Sequence, residues 1–121
     1  MLDKLLGIPK QRSAQFRFIE AGRKRLMKSA RVRGIRLERV EFVVPFVEDD
    51  FGLSAWLFYR TRDDVAAYAQ DGTSEELQSQ LRTELAAVGY PPEWLPLVEY
   101  RFASKEEVDE EYNGRYYYYV K

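Results

Sequence analysis

LERVEFVVPFVEDDFGLSAWLFYR, residues 37–60, reads as two strands joined by a turn. In its first half Val40, Phe42, Val44 and Phe46 alternate with Glu41, Val43, Pro45 and Val47, so one face is strongly apolar and the other mixed. Glu48 to Gly52 has turn composition, and Leu53, Ala55, Leu57 and Tyr59 then alternate with Ser54, Trp56, Phe58 and Arg60. The second strand is apolar on both faces, which suits a sheet with helices on either side. Pro45 lacks an amide donor and predicts an edge position or a bulge in the first strand.

Upstream of the hairpin, residues 13–33 read as a helix. Phe16, Ile19, Leu26, Met27 and Ala30 recur at three- and four-residue steps and share one stripe at about 100° per residue. Gly22 sits at the stripe's edge, where it costs about 1 kcal/mol against Ala, and so predicts the close approach of a neighbouring element. Gly34 offers a stop. The N-terminal Leu2, Leu5 and Leu6 read as a short amphipathic turn packed on the domain, since one turn buries too little to anchor a membrane.

Downstream, Thr61 with Asp64 and Thr73 with Glu76 fit helix N-caps. They predict a short helix over Arg62–Gln70 and a longer one over Ser74–Val88 with the stripe Leu77, Leu81, Leu85 and Val88. Pro91 and Pro92 interrupt the helical pattern, Trp94 and Leu95 pin the connection, and Leu97–Ala103 reads as a strand. Ser104 with Glu107 repeats the capping arrangement and opens an acidic helix ending at Asn113-Gly114, residues suited to a left-handed exit. Arg115–Val120, with four consecutive tyrosines, is expected to close the fold as a strand. These elements give an α+β class: a single globular domain over residues 1–121, a mostly antiparallel four-stranded sheet and about four helices in the order α-β-β-α-α-β-α-β.

At 121 residues, 45% apolar, with 9 Tyr, 7 Phe and 2 Trp, the composition is that of a folded domain with a core of its own. With no Cys there is no disulfide framework and no thiolate chemistry. No His removes the usual base near neutral pH, the commonest zinc ligand and the centre of Ser-His-Asp arrangements. No glycine-rich phosphate loop and no metal-ligand spacing appear either. The expectation is therefore no catalytic residue, no metal and no cofactor. No run approaches the roughly 18 apolar residues of a membrane span, so a cytoplasmic protein without a membrane partner is expected.

The net charge of −1 conceals a polarity. Residues 1–40 carry 12 Lys/Arg against 3 Asp/Glu, whereas residues 41–121 carry 7 against 17. Segregation of this kind marks a surface that meets a charged partner, or two parts of one fold that meet each other; it also allows head-to-tail homo-oligomers. On the basic side Arg17, Lys24, Lys28 and Arg31 share one helix flank. They read either as a solvated or internally paired face, or as a phosphate-neutralising stripe for nucleic acid.

On the acidic side Glu106 and Glu107 complement the dipole of their helix, while Asp109, Glu110 and Glu111 form a denser carboxylate face than the helix needs. That face either is solvated, pairs with the basic helix, or covers a cationic partner by imitating a phosphate backbone. Strand alternation over Tyr116–Tyr119 puts two rings on each face and predicts Tyr117 and Tyr119 as an outward pair unless helices bury all four. Glu48, Asp49 and Asp50 are explained by their turn before any cation need be invoked.

The segment Glu106–Tyr119, an acidic helix, an Asn/Gly turn and an aromatic tail, resembles small uncharacterised bacterial proteins, some of them immunity proteins encoded beside polymorphic toxins. The resemblance implies stoichiometric binding to another protein and transfers no catalytic residue. The leading functional expectation is thus a non-enzymatic protein-binding module, an immunity-like inhibitor of a toxin or nuclease, acting through Asp109, Glu110, Glu111, Tyr117 and Tyr119. A nucleic-acid-binding accessory protein using the basic helix is the alternative, and a small carboxylate-based enzyme the third.

Overall fold

The computed structural model describes residues 10–47 and 49–121; the expected turn at Leu2, Leu5 and Leu6 lies outside them, as does Glu48. The chain runs through α1 (Lys10–Val32), β1 (Leu37–Val43), β2 (Leu53–Tyr59), α2 (Arg62–Gln70), α3 (Thr73–Ala87), a 3-10 turn (Leu95–Leu97), β3 (Val98–Ser104), α4 (Lys105–Tyr112) and α5 (Tyr116–Val120). The class is α+β, as the sequence predicts. Its sheet differs from expectation: among the described residues it has three strands in the order β1-β2-β3 and is mixed.

β1 and β2 form the expected antiparallel hairpin, with Val40 opposite Leu57 and Phe42 opposite Ala55. β3 runs parallel to β2, pairing Leu53 with Val98 and Tyr59 with Ser104. The reason is the connection: α2 and α3 carry the chain back along the sheet before β3 begins, and a crossover of that length returns a strand in the same direction. The register of β1 slips between Leu37 and Arg39, leaving a bulge at Glu38.

The expected fourth strand is a helical turn, α5. Asn113 (φ 52°) and Gly114 (φ 78°) provide the predicted left-handed exit from α4. The reversal lays the following residues over a face of the sheet, not beside an edge, so their amides find partners locally. Those of Tyr118 and Tyr119 donate to the Arg115 carbonyl at 3.2 and 3.3 Å. In a helical turn Tyr116 and Tyr119 share one side, and both ring edges meet Phe58, with centroids at 4.7 and 5.6 Å.

One face of the sheet carries the main core. Leu53, Ala55, Leu57 and Tyr59 pack there with Val40, with Ile19, Leu26 and Ala30 of α1, and with Leu77, Leu81 and Leu85 of α3. At about 1.5–3 kcal/mol per fully buried large side chain, this layer dominates stability. Gly22 lies where α1 crosses α3: a Cβ there would come within 2.7 Å of Leu85 Cδ2, the close approach the sequence predicts. Phe16 departs from the predicted stripe and is 46% exposed. The opposite face carries a smaller core of Phe58, Ala103 and Val108, covered by Trp56, Tyr116, Tyr119 and Val120.

Two polar residues of α1 are buried without any signal in its apolar pattern. Arg12 Nη2 donates to the carbonyls of Val47 (2.8 Å) and Asp50 (2.9 Å), and its Nη1 to Gln15 Oε1 at 2.6 Å. Gln15 in turn donates to Tyr90 Oη at 3.1 Å. The start of α1 thereby ties down the β1–β2 loop, whose Phe51 stacks on Trp94 with centroids at 4.2 Å.

Candidate protein-binding surface

The acidic helix α4 is fixed at its start by Ser104, whose Oγ accepts the Glu107 amide at 3.1 Å and donates to Glu107 Oε1 at 3.0 Å. Its buried anchor is Val108. That leaves Asp109, Glu110 and Glu111 on the exposed side.

Arg62, at the start of α2, organises those carboxylates: its guanidinium lies 2.7 Å from Glu110, 3.8 Å from Glu106 and 4.0 Å from Glu111. Its backbone amide also donates to Glu106 Oε1 at 3.0 Å. The Glu110 contact, ahead of the surrounding carboxylates, raises the Arg62 pKa further above its ordinary value. Asp109 pairs with Lys105 at 2.5 Å, one turn back. With two cations against five carboxylates over residues 105–111 and Arg62, the corner keeps a negative field.

α5 brings its tyrosines to this corner in two roles. Tyr119 turns inward, donating its hydroxyl to Glu107 Oε2 at 2.9 Å and meeting Tyr112 edge-on at 5.6 Å. Burial, then the Glu107 carboxylate, pushes its pKa up to about 12. Tyr116 sits beneath the Arg39 guanidinium, 4.4 Å from the ring centroid. Tyr117 and Tyr118 are the outward pair, 66% and 52% exposed, in edge contact at 5.3 Å.

The structure thus brings Asp109, Glu110, Glu111 and Tyr117 onto one exposed corner and places Tyr119 beneath it as a support. Strand alternation selects Tyr117 and Tyr119; a helical turn exposes Tyr117 and Tyr118 instead. Tyr112, 40% exposed, and Arg62 also belong to the corner and escaped the sequence reading. Four consecutive tyrosines gave no signal that would single out Tyr119 as the inward ring.

The basic flank of α1 lies elsewhere. Lys24, Lys28 and Arg31 are exposed and line a groove of about 450 Å³ against β1. Arg17 donates to Ser13 Oγ at 3.2 Å. Other cations of the basic segment pair with α2 and α3: Arg25 with Glu84 at 3.3 Å, Arg33 with Glu76 at 2.5 Å, and Arg36 through Nε with both Asp64 oxygens at 3.2 Å. Among the described residues no ion pair joins α1 to α4. The carboxylate of Asp50 accepts the Gly52 amide at 2.9 Å, a turn-forming role.

Among the described residues no helix is long and apolar enough to cross a membrane. No family model, curated protein or solved structure matches the chain.

Proposed function

We propose that this chain is a non-enzymatic module that binds a basic protein through the α4–α5 corner, in the manner of an inhibitor that covers a toxin or nuclease. The observation that carries the reading is the pair of outward rings, Tyr117 and Tyr118, on a helical turn whose inward rings are fixed to Phe58, next to carboxylates held by Arg62. Tyrosine supplies large contact area with few rotors, and rings held by a packed turn lose little further freedom on binding. The negative field supplies steering toward a cationic partner.

The test is co-expression with the products of genes neighbouring its own, followed by affinity purification. A partner retained by the native chain should be lost with Tyr117→Ala/Tyr118→Ala and with Glu110→Lys/Glu111→Lys, while far-ultraviolet circular dichroism stays unchanged. Equal retention by both variants removes the proposal. A nucleic-acid role for Arg17, Lys24, Lys28 and Arg31 has weaker support, because Arg17 does not line the groove with the other three and Met27 and Val40 make part of its wall apolar.

A further inference from the structure

We propose that the groove between α1 and the outer edge of β1 receives an acidic, extended segment of a partner protein, which adds to the sheet as a strand beside β1. This site lies apart from the α4–α5 corner, and the inference does not depend on the function proposed for that corner.

The sheet order leaves β1 at an edge, with β2 on one side and no strand among the described residues on the other. Unpaired amides and carbonyls along such an edge are a template for another chain. A groove follows this edge. At one end a cavity of about 450 Å³ lies between Lys24, Lys28 and Arg31 of α1 and residues 38–40 of β1. At the other, a cavity of about 240 Å³ lies between Phe16 and Ile19 of α1 and Phe42 and Val44. Both share Glu20, Arg23 and Val40, so the two hollows adjoin along the groove. At about 3.3 Å per residue β1 spans roughly 23 Å, and at about 1.5 Å per residue α1 from Phe16 to Arg31 spans roughly 22 Å. End to end, the two hollows match about six or seven residues of extended peptide.

Charge selects the occupant. The carboxylates lining the groove already have partners: Glu20 pairs with Arg23, Glu38 with Arg60 at 2.8 Å, and Glu41 with Arg39 at 2.5 Å. Lys24, Lys28 and Arg31 have no carboxylate partner among the described residues, so the groove keeps an uncompensated positive field at the Arg31 end. At the other end Phe16, Ile19, Phe42 and Val44 give the hollow an apolar wall. A segment with carboxylates toward Arg31 and apolar side chains toward Phe16 complements both ends. A phosphodiester chain answers the cations but offers no strand ladder for β1, which is why a peptide is favoured. The bulge at Glu38 and Pro45 bound the pairable stretch to Arg39–Val44, a restriction that guards the edge against indiscriminate pairing.

The probe is a fluorescein-labelled hexapeptide with three Glu at one end and Val-Val-Phe at the other, titrated with the full chain at low salt and followed by fluorescence anisotropy. The expected result is saturable binding that weakens at least tenfold with Lys24→Glu/Lys28→Glu. A similar loss is expected when alternate peptide amides are N-methylated, a change that removes ladder hydrogen bonds and leaves the protein untouched. Absence of binding, indifference to charge reversal, or equal affinity for the N-methylated peptide would each overturn the proposal. So would tighter binding of a single-stranded oligonucleotide of equal charge, or sedimentation showing a dimer that the Lys24→Glu/Lys28→Glu variant dissociates, since the groove would then be occupied by nucleic acid or a second copy.

Discussion

Gly22 shows how one missing Cβ positions two helices. Alanine there gains about 1 kcal/mol of helix propensity, but the new methyl would meet the buried Leu85 side chain, and overpacking in a core costs about 1–3 kcal/mol. Gly22→Ala should therefore destabilise the protein in urea, and Leu85→Val in the same chain should recover part of the loss. A Gly22→Ala chain as stable as the parent would contradict the packing described. The sequence announced this contact because a glycine at the edge of a helical stripe is locally unfavourable. It could not announce Arg12 or Gln15, since nothing in an apolar period reveals that a guanidinium faces loop carbonyls 35 and 38 positions away.

Two titrating residues make opposite pH statements. Hydrogen bonding by the Arg36 guanidinium, ahead of its charge, lowers the Asp64 pKa below the usual carboxylate value despite burial. A depressed folded-state value contributes stability above the unfolded pKa of about 4 and loses it as pH falls further. Asp64→Asn should therefore flatten the acid limb of a stability–pH curve. Tyr119, raised to about 12, contributes stability below the unfolded tyrosine value of about 10 and loses it between there and 12. Tyr119→Phe should flatten the alkaline limb, measured by thermal denaturation at stepped pH.

At the scale of elements, capping and period were legible and partner choice was not. Thr61 and Ser104 cap α2 and α4 as their spacing predicts, through amides of Asp64 and Glu107 at 3.1 Å each. Thr73 does not cap α3: Gly72 occupies that place with φ 89°, and the Thr73 amide donates to Asp71 Oδ1 at 2.9 Å. The Asp-Gly pair competed for the cap and won. Tyr116–Tyr119 misled for a related reason, because four identical residues carry no period and only the Asn113-Gly114 reversal sets their conformation. Ser104→Ala should cost about 1 kcal/mol. The loss should fall first on α4 and α5, whose amides should exchange faster with deuterium while those of α1 and α3 stay protected.

Across the molecule, no ion pair among the described residues joins the basic helix α1 to the acidic helix α4. α1 is neutralised in part by Glu84, and Arg33 and Arg36 beyond it by Glu76 and Asp64, whereas α4 takes its cations from Arg62 and its own Lys105. Composition revealed the polarity but not this arrangement, which depends on where the crossover helices lie. The smaller core under α4 and α5 rests on three fully buried residues, Phe58, Ala103 and Val108. Val108→Ala should accordingly loosen the α4–α5 corner, seen as faster local hydrogen exchange, before it lowers the midpoint of the main unfolding transition.

The parallel pairing of β2 with β3 bears on how the polypeptide matures. Tyr59 finds Leu37 in the strand already made, but its neighbour in β3 only when Ser104 exists, so a nascent chain carries a half-completed sheet while residues 60–104 are added. Ladders that join such distant positions form slowly and leave apolar strands bare to strangers in the meantime. Completion of the sheet thus waits for β3, and slowing the ribosome over the α2–α3 codons should raise the fraction lost to aggregation.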